Sequence, residues 1–192
     1  MVCRQKFKER STATTENICK SIPIYSTAIL MPKSRTKSGS QTSHIYTKQG
    51  VLYLSIIRDL FDNSIVAYKT GTEQNVNLVL STIREAKKRE KVTAELQLHS
   101  DQGFQYTSQA YFRLKQSYDI TPSMSRRGKP YDNAMAENFF SILKTECIYR
   151  TKLQTYEDAR ILIDDYIHFC NHQRIQLKTK LTPPEKRCQS VT

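Results

Sequence analysis

Apolar residues are spread unevenly along this chain, and their spacing changes near residue 44. Residues 1–43 show neither a two-residue nor a 3.6-residue apolar period and are rich in Ser, Thr, Lys and Arg, so the pattern predicts no helix or strand there. From Ile45 the character changes. "VLYLSIIRDLF" (51–61) is a continuous apolar run suited to a strand covered on both faces. "SIVAYKTG" (64–71) is a second β-rich segment, and "DNS" between the two has hairpin chemistry. In "EQNVNLVLSTIREAKKRE" (73–90), Val76, Val79, Leu80, Ile83 and Ala86 share one helical face and the basic end falls at the C-terminus. "AELQLHS" (94–100) reads as a short strand running into a loop, "DQGFQY". Thr107 or Ser108 is placed to cap a helix "QAYFRLKQSY", after which "DITPSMS" is another short strand. Beyond the loop "RRGKPYDNA" come two helical patterns, "MAENFFSILKTECIY" and "TYEDARILIDDYIHFCNH", and a tail "LTPPEKR". Ile163, Tyr166 and Phe169 read as core residues of the second pattern.

This order predicts a three-layer α/β domain over about residues 44–175, with a mixed sheet that begins as an antiparallel meander and continues through helical connections. Residues 1–43 are expected to be a basic, poorly ordered N-terminal segment, and residues 176–192 a C-terminal tail.

Charge narrows the class of partner. The chain of 192 residues has a net charge of +12, which points to a polyanion, most simply nucleic acid, over the plainer alternative of a protein with surplus lysines. Half of that excess lies in residues 1–43, where eight Lys and Arg face only Glu9 and Glu16, so the charge says less about the folded part. The five cysteines form no CxxC and no regular spacing, as expected of free thiols in a reducing compartment. No apolar run reaches membrane length and the N-terminus lacks a signal-peptide core, so the expectation is a cytoplasmic protein with no membrane partner.

Two acidic residues carry the candidate chemistry. Asp101 sits at the end of a predicted strand, where α/β sheets hold their ligand sites, and Glu137 sits in the first turns of a predicted helix. Carboxylates on a strand end and a facing helix can converge on hard cations. Two such ions would activate a water or a 3′-hydroxyl in phosphodiester chemistry. Either residue alone reads more simply as a turn aspartate or a solvated helix glutamate. His168 and His172 are spaced i, i+4 as metal ligands can be, but no third ligand at suitable spacing is visible, so they read as structural. His99, two residues before Asp101, reads equally as a neighbour of its pocket or as a satisfied structural histidine.

The segments "HSDQGFQYTS", "SMSRRGKPYDNAMAENFFSILKTE" and "YIHFCNHQRIQLKTKLTPPEKR" together resemble the catalytic core of bacterial insertion-sequence transposases, relatives of retroviral integrase. The resemblance spans about Ile45 to Arg187. It implies a ribonuclease-H-like three-layer fold, a mixed five-stranded sheet with helices on both faces, and a triad of two Asp and one Glu holding two Mg²⁺ or Mn²⁺ ions. Asp101 matches the family's second Asp and Glu137 its Glu, with 35 residues between them. The implied reaction is cleavage at the element's ends, then attack of a 3′-hydroxyl on target DNA. The implied partners are double-stranded DNA, as element ends and target, and a further copy of the chain. Arg126, Arg127 and Lys129 lie in the matched basic loop and suit DNA phosphates. Asn133 suits a cap for the Glu137 helix, and Lys144, two turns on, suits a DNA contact.

One acid is missing. No Asp or Glu occurs between Glu16 and Asp59, and the family's first Asp aligns without gaps to Gln41. Asp59 and Asp62 lie beyond the second predicted strand in a matched "DLF" turn and read as structural. Codons can be chosen for residues 34–45 that, one base out of frame, encode K-P-N-Q-K-W-V-T-D-I-S-Y, a family-like first strand; the Asp codon then falls across Gln41 and Thr42. A frameshifted N-terminal region is therefore expected, with loss of the first carboxylate, of pairing in the first strand, and of strand transfer. The alternatives are a non-catalytic nucleic-acid-binding protein that regulates transposition and a ribonuclease-H-type nuclease, the latter disfavoured by "DNAMAEN".

Overall fold

The computed structural model describes residues 36–89, 96–100, 103–124 and 134–189. Five strands form one mixed sheet: β1 (Thr36–Thr47), β2 (Gly50–Asp59), β3 (Ile65–Gly71), β4 (Leu96–Ser100) and β5 (Ile120–Met124), in the order β3-β2-β1-β4-β5. The first three strands run antiparallel, while β4 pairs parallel to β1 and β5 parallel to β4. The helices are α1 (Val76–Arg89), α2 (Phe104–Thr107), α3 (Gln109–Ser117), α4 (Ala134–Glu146), α5 (Tyr156–His172) and α6 (Pro183–Gln189), with a 3-10 turn at Ile148–Arg150.

Both faces of the sheet are covered, as the apolar run of β2 requires. Leu52, Leu54 and Ile56 pack with Phe139, Phe140 and Leu143 of α4 and Ile163, Tyr166 and Ile167 of α5. Ile57 points into the second core, with Val79, Leu80 and Ile83 of α1, Tyr106 of α2 and Tyr111 of α3. The α1 face is wider than its spacing predicts, since Leu78 and Thr82 are buried too. Phe169 is only partly buried against the first core, whereas Ile163 and Tyr166 lie within it.

The largest departure from the sequence expectation is β1. It begins at Thr36, inside the polar stretch where the apolar pattern predicts no strand, and it is the central strand of the sheet. The expected loss of pairing is also absent: β1 is in register with β2 from Ser38↔Asp59 to Thr47↔Gly50, and with β4 from Thr36↔Leu96 to Ser40↔Ser100. A strand between two neighbours is specified by ladder hydrogen bonds on both edges, which every non-proline backbone can make. Small polar side chains therefore serve where a hydrophobicity pattern sees nothing. The β1–β2 turn uses Gly50 at φ 136°, where an added Cβ would come within 2.6 Å of the Tyr156 hydroxyl.

Local hydrogen bonding explains the remaining boundaries. Ser108 accepts from the Tyr111 amide and caps α3, which resolves the choice between Thr107 and Ser108. Thr155 and Asp158 form a reciprocal capping box at the start of α5. Part of the expected loop 101–106 is the single turn α2. The β2–β3 turn is held by its own acids: Asp59 accepts from the Phe61 amide and Asp62 from the Ser64 amide. Asp62 is 0% exposed, and Arg187 of α6 donates to it and to Asp59 and Ser64, so both acids are structural and the tail folds back on the sheet. One core position is unexpected. Lys115 of α3 is 2% exposed, with its ammonium 4.3 Å from the Tyr111 ring centroid, 4.4 Å from that of Phe112, and no hydrogen-bond partner among the described residues.

Candidate active site

The β1–β4 ladder locates the candidate site. Its last pair is Ser40↔Ser100, so Gln41 is the next residue on one strand and Asp101 the next in the chain on the other. Asp101 itself lies outside the described residues, as do Arg126, Arg127, Lys129 and Asn133. Glu137 is the fourth residue of α4, and this helix packs over β1 and β2 through Phe139, Phe140 and Leu143. Strand alternation puts position 41 in one set with Ser43 and Ile45, and Ile45 is packed in the α4 core.

Between the two elements lies a cleft of about 360 Å³. It is lined by Thr42 and Ser43 of β1, by Phe140, Ser141, Lys144 and Thr145 of α4, and by Tyr149 of the 3-10 turn. The chain that follows Gln41 and the chain that follows Glu137 thus form opposite walls of one cavity. Lys144 is half-buried there, seven residues after Glu137 and so on the same helical stripe. Thr145 donates to the Ser141 carbonyl at 2.7 Å, and the Thr42 hydroxyl is buried without a hydrogen bond among the described residues.

The far end of α4 is anchored independently. Arg174 donates from both terminal nitrogens to Glu146, the second at 2.8 Å, and the Tyr166 hydroxyl donates to the same carboxylate at 2.9 Å. The Arg174 hydrogen bonds hold Glu146 below the usual carboxylate range. Burial pushes the Tyr166 hydroxyl and the Cys170 thiol up. This fixes the helix that carries Glu137 at its C-terminal end, while the cleft residues stay open. Sequence reasoning missed Ser141, Thr145 and Tyr149, because their grouping depends on the register of β1 against α4.

The remaining candidates do not converge. His168 and His172 stack on α5 with centroids 4.6 Å apart, and no three His, Cys, Asp or Glu residues among those described could hold a metal. His99 is half-buried on β4 opposite Gly39. Among the described residues, Cys147, Cys170 and Cys188 form no disulfide. Among the described residues, no helix is long and apolar enough to cross a membrane.

A five-stranded mixed sheet with a 3-2-1-4-5 order and helices on both faces is the ribonuclease-H-like architecture. Two family models, each described as an integrase core domain, match residues 40–130 and 137–191. An uncharacterized transposase-like protein of Haemophilus influenzae is 41% identical over 144 residues, covering 74% of this chain and 66% of that protein. The transposase for insertion sequence element IS904 of Lactococcus lactis is 38% identical over 125 residues, covering 65% of this chain and 49% of that protein. Among solved structures, the HTLV-2 integrase catalytic core domain in complex with magnesium superposes with a TM-score of 0.62 at 14% identity, over 80% of this chain and 96% of that one. The chain belongs to the integrase core family, in its insertion-sequence transposase branch. It spans two thirds or less of the length of these transposase relatives.

Proposed function

We propose that this chain is the DNA-handling core of an insertion-sequence transposase that binds DNA but does not join it. The observation that carries the reading is the cleft whose walls follow Gln41 on β1 and Glu137 on α4. In this reading Asp101 and Glu137 are the two surviving catalytic carboxylates and Gln41 occupies the place of the third. Arg126, Arg127, Lys129 and Lys144 neutralise phosphates, and Asn133 caps the helix that bears Glu137.

The donor set does not fit a pair of divalent ions. Two carboxylates and one neutral amide offer two negative charges to two Mg²⁺ or Mn²⁺ ions, whose preferred ligands are anionic oxygens. No chemical step is therefore assigned to a metal. The viral neighbour is described with magnesium and in a trimeric form, and self-association of this chain is proposed on that likeness alone.

A labelled duplex of random sequence tests the reading. With Mg²⁺ or Mn²⁺ present, the chain should shift the duplex, lose affinity steeply as salt rises, and yield no joined product. Joined product would contradict the loss of strand transfer, and no binding at low salt would contradict the DNA reading. Binding without catalysis also suits a regulator that occupies element ends, a second reading favoured by the same glutamine. A transposition assay in cells separates it, since only a regulator lowers the frequency set by an intact transposase.

A further inference from the structure

His168 and His172 belong to neither core and line no part of the cleft. Both are exposed on the outer face of α5, one turn apart, with ring centroids 4.6 Å apart and ring planes tilted by 42°. That spacing lets two imidazoles reach one ion from a single helical face. Two further features favour a cation there. The pair closes α5, where the terminal carbonyls concentrate partial negative charge. The helix also carries Glu157, Asp158, Asp164 and Asp165 against Arg160, within a chain whose net charge is +12.

The neighbours that could enlarge the site are engaged elsewhere. Asp164, one turn before His168, faces Tyr68 of β3, whose hydroxyl is pushed up by burial first and then by that carboxylate. Asn171 uses its whole amide on the backbone of Ile65, accepting from the amide at 2.8 Å and donating to the carbonyl at 2.9 Å. Gln176 donates to the Asp62 carbonyl and accepts from Asn63. No third His, Cys, Asp or Glu among the described residues joins the pair, so the protein offers two nitrogens and water completes the coordination. Imidazole suits zinc, copper and nickel, whereas magnesium and manganese prefer carboxylate and carbonyl oxygens.

We infer that His168 and His172 form a two-imidazole site for a divalent transition ion of the nickel, copper and zinc class, separate from the cleft beside α4. An ion held there ties the last turn of α5 together. Asn171, in that turn, holds the start of β3, and Arg174, just beyond it, holds Glu146 at the end of α4.

The test uses the untagged full chain, its thiols kept reduced by a phosphine, titrated with Ni²⁺ in a calorimeter. His168→Ala and His172→Ala should each weaken the tightest binding by at least about tenfold, the loss that even an outer-shell partner causes. The double variant should be no weaker than either single one, because a lone imidazole is not a chelate. Ni²⁺ at about a hundredfold its dissociation constant should raise the melting temperature of the native chain by about 2–10 °C and leave that of the variants unchanged, since only the folded helix brings the rings together. Both rings are exposed, so the variants should melt with the native chain when no ion is added. The site is overturned if the variants bind Ni²⁺ as tightly as the native chain, or if the native chain takes up none at millimolar Ni²⁺. A double variant far weaker than either single one would show two independent rings and overturn the chelate. None of these outcomes touches the DNA reading.

Discussion

Replacing Lys115 by methionine should stabilise the protein. Its ammonium is inside the second core, and burial draws its pKa down to about 8 from an ordinary 10.5. The only compensation among the described residues is the pair of ring faces of Tyr111 and Phe112, worth about 0.5–2 kcal/mol. Methionine has a similar length and reach without the charge, and it fills irregular core space. A shift of this size corresponds to roughly 3 kcal/mol at most, and net of the ring contacts we expect a gain of about 1–3 kcal/mol at neutral pH. For a chain of this size that is a rise in melting temperature of about 2–10 °C. The pH dependence carries a second signature. The unfolded lysine holds its proton up to about pH 10.5 and the folded one only to about 8. Stability of the native chain should therefore rise as pH increases from about 8 toward 10, and Lys115→Met should remove that rise. Urea denaturation followed by circular dichroism, under reducing conditions at about pH 7 and about pH 9.5, reads both effects. A methionine variant that is less stable at both pH values, or one that keeps the native rise, would refute the reasoning.

The tail offers a larger effect in the other direction. Arg187→Ala leaves the fully buried Asp62 carboxylate without its charged partner and should cost about 3–5 kcal/mol in the same denaturation assay, whereas Lys186→Ala, whose amine meets the Phe61 carbonyl and ring near the surface, should cost under about 1 kcal/mol. Asp119, exposed at the end of α3 with φ 54°, occupies a helix-terminating position that glycine adopts without strain, so Asp119→Gly should raise stability by about 0.5–1 kcal/mol in thermal melts. Glu146 is held below the usual carboxylate range by Arg174 and Tyr166, so its contribution is present above an ordinary pKa of 4.5 and lost as pH falls below it. Glu146→Gln should flatten that acid limb in a pH titration of stability.

How much of this was legible in the sequence differs by element. The continuous apolar run of β2 announced a strand covered twice, and Ile163 and Tyr166 were legible as core residues of a helix, whereas Phe169, read with them, is only partly buried. Those signals are local, and local signals survive without a structure. α6 is legible too: "TPPE" has the capping-box spacing with prolines in the first turn, and the Glu185 carboxylate accepts from the Thr182 amide at 2.7 Å and from the Thr182 hydroxyl at 2.8 Å. β1 could not be read from its hydrophobicity, because its place comes from two neighbours distant in the chain. Lys115 shows the opposite failure. Its position, four residues after Tyr111, falls on the buried stripe, but a lysine there gives no hint of burial from identity alone. The Asp101 and Glu137 spacing was visible as a pattern. The cleft beside it was not, because Thr42 and Ser43 meet α4 only through the register of the whole sheet.

Everything turns on whether position 41 is where the third carboxylate belongs. The measurement is the melting temperature of the native chain and of Gln41→Asp, each with and without millimolar Mn²⁺. If the ladder that ends at Ser40↔Ser100 points to the vacancy, the native chain should melt at the same temperature with and without the ion. Gln41→Asp, its third carboxylate supplied, should rise by about 5–10 °C once Mn²⁺ is some hundredfold above its dissociation constant. A native chain that Mn²⁺ stabilises as strongly as the variant would contradict the account, because the glutamine would then cost the metal site nothing.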